Sequence, residues 1–205
     1  MTRQERAART RCELVRAAAA QFERQGYVST TLNGICRQVG VSSGALHFHF
    51  ASKAALADVI EQVTSSTLQR LISTSRPRRA GALQELVDIS QLLVARMSDD
   101  QIIRSGVRLS QDTSRQGRLP FRQEWRAHVL ALLEEAGADG SLAPTVKVAD
   151  AASAITLATE GAMNFGREDR QWPAVSSMAG FWRLMLPQLA GADYAERMDP
   201  TGTVL

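Results

Sequence analysis

Residues 28–53, VSTTLNGICRQVGVSSGALHFHFASK, constrain the fold more than any other part of this 205-residue chain. Leu32, Ile35, Cys36 and Val39 stand at i, i+3, i+4 and i+7, one apolar stripe on a helix of about two turns. Thr31 precedes the stripe, where its hydroxyl can cap the helix, and Gly40 supplies a C-terminal stop with Val41 tucked into the angle behind it. Ser42 caps a second helix in which Leu46 and Phe50 face the core at i and i+4, leaving Ser43, Gly44, Ala45, His47 and His49 off that axis. A second helix whose exposed side is short and polar can come close to base edges, which is the helix-turn-helix arrangement that enters the major groove of DNA. Two short amphipathic helices about a glycine also occur in plain helical bundles, so the residues around the pair decide between the two readings.

The length suits one or two domains with an ample core. Apolar residues make up 44% of the chain and turn clusters are sparse, which predicts an all-α protein. No run of about 18 apolar residues occurs and the N-terminus is charged, so neither a membrane span nor a signal peptide is expected and the chain reads as cytoplasmic. Cys12 and Cys36 both fall on predicted helices, as reduced thiols rather than a disulfide framework. The net charge of +3 is unevenly placed: residues 1–55 hold eight basic side chains against three acids, +5, leaving −2 for the remainder. The positive field therefore belongs to the helix-turn-helix end and favours phosphate, with salt-dependent affinity.

Along the chain, the first helix is expected over Ala7–Gln25 with Leu14, Ala18 and Phe22 on its buried side, Gly26 as its stop, and Arg3, Arg6 and Arg9 as a flexible basic arm. The fourth starts after Ser52 and continues to about Ser73, linking a DNA-binding domain, residues 1–52, to a larger domain, residues 53–205. Residues 74–81, with Pro77 and Gly81, form a loop. Further helices are predicted near 82–97, 101–111, 119–136, 145–166 and 173–190, about nine helices in all, followed by a poorly ordered tail after Gly191.

The residues and their order resemble the TetR family of dimeric transcriptional repressors. The match rests on Phe22-Glu23-Arg24-Gln25-Gly26-Tyr27 closing a long first helix, on Thr30-Thr31 opening the second, and on Val41 through Phe50 followed by Ser52-Lys53. The resemblance implies three helices in the DNA-binding domain and six in the larger one. It also implies that Ser42, Ser43, Gly44, Ala45, His47, His49 and Lys53 lie at the DNA interface. Thr31 and Lys53, each at a helix start, suit phosphates, and Ser43 and Ala45 are the best base-edge candidates. The chain departs from the family pattern at His47, where a Tyr is usual, and at Ser43, often Lys. His47 can still donate to a phosphate, with pH sensitivity, and a short neutral Ser43 leaves more of the recognition to DNA shape. Gly34 weakens the second helix by about 1 kcal/mol relative to Ala. His47 and His49 are not a metal pair, because positions i and i+2 of a helix point about 200° apart; no metal or cofactor is expected.

The larger domain would serve dimerisation alone, or a ligand as well. Arg104-Ser105-Gly106-Val107-Arg108-Leu109-Ser110-Gln111-Asp112 and Pro120-Phe121-Arg122-Gln123-Glu124-Trp125 are similar to the γ-butyrolactone receptor branch of TetR regulators, actinobacterial proteins that sense small lactones or furans and control antibiotic biosynthesis genes. By that resemblance Trp125 stacks on the effector, while Gln62 and Thr159 hydrogen-bond its carbonyl and hydroxyl; an ordinary core role for Trp125 stays open. Ala151, Ala152, Ala154, Ile155 and Ala158 on one helix, with Met178, Phe181, Trp182, Met185 and Leu189 on the next, suit close helix packing. The resemblance assigns them to a four-helix homodimer interface, with packing inside one chain as the alternative. A twofold dimer implies a palindromic operator in double-stranded DNA.

The expected function is thus a repressor released from a palindromic operator by a small-molecule effector. The alternative is a relative that senses an antibiotic or other drug. An enzyme is disfavoured by three His without triad spacing, phosphate loop or metal cluster, His128 and Glu124 reading as an i, i+4 surface contact.

Overall fold

A Thr with Glu three residues on can satisfy the free donors of a first helical turn. In the computed structural model, which describes residues 2–74, 81–115, 121–168 and 171–203, the Thr2 N–H donates to Glu5 Oε2 at 2.7 Å and the Glu5 N–H to Thr2 Oγ1 at 3.2 Å. Helix α1 therefore starts at Arg3 and runs Arg3–Ser29, broken only at Gly26 (φ 80°). The expected flexible arm is helical: Arg3, Arg6 and Arg9 sit on α1, with Arg9 Nε 2.9 Å from Glu13 Oε1 one turn on.

The following elements are α2 (Leu32–Val39), α3 (Ser43–His49), α4 (Lys53–Thr74), α5 (Gly81–Asp99), α6 (Gln101–Ser110), α7 (Phe121–Ala138), α8 (Val148–Glu168) and α9 (Ala174–Leu189), then one 3-10 turn, Ala195–Arg197. The described residues are thus all-α, nine α-helices with no strand. Pro77, in the predicted loop, and Pro120, in the second resemblance motif, lie outside the described residues.

These residues form two compact units, 1–66 with 100–121 and 67–99 with 122–205, the boundary falling inside α4. They are drawn differently from the expected division at 52/53 because α6 joins the helix-turn-helix. Leu14, Ala18, Phe22, Ile35, Leu46, Leu56 and Ile60 make the core of the first unit, and Leu109 of α6 belongs to it. Arg104, only 7% exposed, pairs through Nε with Glu23 Oε1 of α1 at 2.6 Å, and Arg108 Nη1 donates to the Glu23 carbonyl. Between these two arginines stands Gly106. A Cβ there would lie 1.9 Å from Thr64 Oγ1 and 3.2 Å from the Ile60 carbonyl, so only glycine lets α6 approach α4 this closely.

In the second unit α5 is buried almost all round and packs with α8 and α9. Gln84, Asp88 and Gln91, at i, i+4 and i+7 on that apolar helix, are each at most 3% exposed and need partners. The chain's end provides them. Gln84 Nε2 donates to the Asp199 carbonyl at 3.0 Å, Gln91 Nε2 to the Pro200 carbonyl at 2.8 Å, and Thr203 N–H and Oγ–H to the Asp88 carboxylate at 2.8 and 2.7 Å. The tail after Gly191, expected to be poorly ordered, is instead ordered against α5 as far as Thr203, because buried polar groups on α5 demand it.

Candidate nucleic-acid interface and effector site

The caps read from the sequence form as expected. Gly34 N–H donates to Thr31 Oγ1 at 3.1 Å, opening α2, and Ala45 N–H to Ser42 Oγ at 3.2 Å, opening α3. Gly40 is left-handed (φ 76°, ψ 33°) and its N–H closes α2 on the Cys36 carbonyl at 2.9 Å. Leu46 is fully buried and Phe50 4% exposed, with the Arg11 guanidinium 5.2 Å from the Phe50 ring centroid. These anchors fix the rotation of α3, so Ser42, Ser43, Gly44 and His47 are exposed while Ala45 and His49 are half-buried. Phe48 on the same helix is 75% exposed. Sequence patterning passed over it, yet a large apolar group on the polar side of a groove-reading helix suits the methyl of thymine; its position off the Leu46/Phe50 stripe was the available signal.

Lys53, expected at a phosphate, is engaged within the chain. Its ammonium donates to the carbonyls of Tyr27, Val28 and Thr30 at 2.8, 3.1 and 2.8 Å and stands 4.5 Å from the Tyr27 ring centroid. All three donors thus close the C-terminal end of α1, where the helix dipole is negative. Burial lowers the Lys53 pKa, outweighing the raising effect of Asp112. Beside Thr31, a cavity of about 580 Å³ is lined by Arg24, Gln25, Ser29 and Arg37. Both arginines are exposed. They supply near the α2 N-terminus the positive charge that Lys53 directs inward, and the charge excess of residues 1–55 was the sequence signal for them.

Of the expected effector contacts, Trp125 and Thr159 lie in the second unit and are fully buried, whereas Gln62 lies in the first unit and is exposed. Thr159 Oγ–H donates to the Ile155 carbonyl at 2.8 Å, leaving its lone pairs to accept. Two fully buried tryptophans differ in chemistry. Trp182 Nε1 donates to Ser90 Oγ at 2.8 Å, the satisfied core state, but the Trp125 indole N–H meets no acceptor. The expected surface contact between Glu124 and His128 is absent. Both residues are half-buried, and Glu124 Oε2 and His128 Nε2 are interior atoms without a hydrogen-bond partner. Burial alone lowers the His128 pKa from its ordinary value. Thr156 Oγ1, Glu160 Oε1 and Asn164 Oδ1 on α8 are in the same condition. Their spacing of four residues on α8 was visible in the sequence; that their face turns inward was not.

Ala151, Ala152, Ile155, Met178, Trp182 and Leu189, expected at a dimer interface, are buried within their own chain. Ala154, Ala158, Phe181 and Met185 of the same set are half-buried. On the outer side Leu157, Phe165, Trp172 and Leu184 are 71, 56, 41 and 78% exposed, and Ala158 and Phe181 line a shallow cavity of about 200 Å³ with Phe165 and Trp172. No helix among the described residues is long and apolar enough to cross a membrane.

Residues 14–60 match the model of the bacterial regulatory proteins of the tetR family. The whole chain is 29% identical, over 209 aligned positions, to the A-factor receptor protein of Streptomyces griseus, covering 72% of that protein. Among solved structures, a γ-butyrolactone receptor described as ArpA-like shares 27% identity with a TM-score of 0.82, 94% of each chain being covered. The TetR family protein CprB of Streptomyces coelicolor, solved in complex with its biological operator sequence, shares 27% identity with a TM-score of 0.77 over the same share of each chain. A TetR regulator of Streptomyces fradiae, TylP, shares 30% identity over 97% of this chain and 87% of its own with a TM-score of 0.67, and the chain belongs to the TetR family of bacterial regulatory proteins.

Proposed function

We propose that this protein is a dimeric transcriptional repressor, released from a palindromic operator by a small molecule of the γ-butyrolactone or furan type that controls secondary metabolism. The observation that carries the reading is α3: two buried anchors, Leu46 and Phe50, hold a capped helix whose outward edge, Ser42 to Ala45, is short and polar. The operator complex of CprB and the effectors named for the A-factor and γ-butyrolactone receptors support the two halves of the function.

In this reading residues 1–52 read DNA and residues 53–205 take the effector and the second protomer. Ser43 and Ala45 face base edges; Thr31, Ser42, Gly44, His47 and His49 approach the backbone; Lys53 contributes by holding the α1 end in place. Gln62, Trp125 and Thr159 contact the effector. The outer apolar side chains of α8 and α9 meet their copies across a twofold axis, which spaces two α3 helices for successive major grooves. Release follows when the effector binds one arrangement of α4, whose residues fall in both units, better than the DNA-competent one. Fluorescence anisotropy with palindromic DNA from the gene's own promoter tests this. Specific binding that falls as a γ-butyrolactone is titrated is expected, and absence of any preference for palindromic over scrambled DNA refutes the reading.

A further inference from the structure

The helix that reads the groove brings no permanent charge to it. From Ser42 to His49 the chain holds neither Lys nor Arg, and Lys53 is engaged at the end of α1. Affinity for a duplex comes largely from phosphates neutralised by cations, so the cations must lie elsewhere. In the first unit they line one seam. The cavity of about 580 Å³ beside Thr31 is lined by Arg24 and Arg37, and a second, of about 540 Å³, by Arg9 and Arg16. Gln38 lines both, so the two adjoin as one trough along α1 and α2. At about 1.5 Å per residue, Arg9 to Arg24 spans about 22 Å of α1. Gln21 Nε2 donates to Gln38 Oε1 at 3.0 Å, which pins α2 to α1 where the cavities meet and leaves the Gln38 amide N–H groups to donate.

The acids nearby do not offset this charge. Of the three in residues 1–55, Glu5 belongs to the cap at Thr2, Glu23 turns to Arg104 at 2.6 Å, and only Glu13 lines the trough, 2.9 Å from Arg9. That exposed pair contributes little, so a phosphate can replace Glu13. Arg16, Arg24 and Arg37 are exposed and meet no acid among the described residues. We propose that the α1–α2 seam is a second DNA-binding surface, a track for the phosphate backbone beside the groove that α3 enters, with Arg16, Arg24 and Arg37 as its phosphate contacts. The trough runs on to Thr31 at the N-terminus of α2, itself turned to a phosphate in the reading above, so its partner is the same duplex. Phosphate contacts carry no sequence information. The seam therefore sets how tightly DNA is held, and α3 sets which DNA. This rests on the DNA-binding reading above and adds to it contacts outside α3.

The test is fluorescence anisotropy of the full-length protein on palindromic promoter DNA and on a scrambled duplex, from about 50 to 200 mM salt. Arg16→Gln combined with Arg37→Gln removes two contacts per protomer and four per dimer. At about 0.9 per contact, the slope of log K against log salt should become shallower by about 3.6 on both duplexes. The preference for the palindrome should stay within about twofold, because the lost contacts are not to bases. Arg3→Gln combined with Arg6→Gln removes the same charge from the exposed start of α1, outside the trough, and should move the slope by less than about 1. Arg24→Gln alone repeats the test within α1, with an expected change of about 1.8, and decides if the double variant does not fold. An unchanged slope in the seam variants overturns the proposal. So does an equal change in both double variants, which assigns the effect to net charge. A wild type that shows no preference for the palindrome, while the seam variants still lose slope on both duplexes, upholds the seam and refutes the operator reading, so the two failures are told apart.

Discussion

Removing the Lys53 charge separates two roles that the same residue could play at the same place. Lys53→Met keeps the apolar stem and deletes three charge-assisted hydrogen bonds, at 2.8, 3.1 and 2.8 Å, together with the stacking of the ammonium 4.5 Å from the Tyr27 ring. A cation at a partly buried helix C-terminus contributes about 1 kcal/mol and a half-exposed cation–π contact about as much again. Water replaces the ammonium at the exposed Val28 carbonyl, so the total loss is about 2 kcal/mol rather than the sum of three separate bonds. For a chain of this length that lowers Tm by about 4–8 °C. If Lys53 acts only as a cap, operator affinity measured by anisotropy from 50 to 200 mM salt keeps the slope of log K against log salt. A phosphate contact would instead make it shallower by about 0.9 per protomer, about 1.8 per twofold dimer. A variant with unchanged Tm and a slope reduced by that amount refutes the capping account and restores the direct contact.

Four further outcomes are expected. Gly106→Ala should destabilise by about 1–3 kcal/mol in urea, because α6 must back away from Thr64 and Ile60; a stabilised variant, as helix propensity alone predicts, would show the approach is not tight. Burial lowers the folded-state pKa of His128, so the folded protein binds fewer protons than the unfolded chain and this contribution is complete above the ordinary 6.5 and lost as pH falls below it. Thermal melts of His128→Gln should accordingly depend less on pH between about 5 and 7 than those of wild type, and parallel curves would contradict this. Ending the chain at Arg197 removes the partners of Gln84 and Gln91 and should cost about 2–4 kcal/mol, read as a lower denaturation midpoint; an unchanged midpoint means the tail is dispensable. Leu184→Glu, on a side chain 78% exposed in the single chain, should shift the protein toward monomer in analytical ultracentrifugation and weaken operator binding, and a fully dimeric variant moves the interface elsewhere.

The helix-turn-helix was legible because its determinants are local. Thr31, Ser42 and Ser52 cap the helices they precede, and Gly40 adopts the one conformation that stops α2, all within four residues of the groups they satisfy. The TetR family and the all-α class followed from the same short-range pattern. The expected effector residues differ in burial. Trp125 and Thr159 are interior, but Gln62 is exposed, and Glu124 and His128 looked like a surface pair because helical spacing says which residues share a face and not what that face meets. Of the small and large side chains of α8 and α9, six are buried within the chain, while Ala154, Ala158, Phe181 and Met185 stay half-buried.

By itself, then, the sequence determined the helices, their caps, the groove-reading edge of α3 and the positive end of the molecule, since these depend on neighbours three or four residues away. Only the tertiary structure decided that α6 packs with α1 and α4 through Gly106, Arg104 and Arg108, that Lys53 turns inward to the end of α1, and that the chain's last residues clasp α5. Each of these joins residues between 23 and 115 positions apart. Burial and partner choice at that range are set by how helices pack, which local periodicity does not encode.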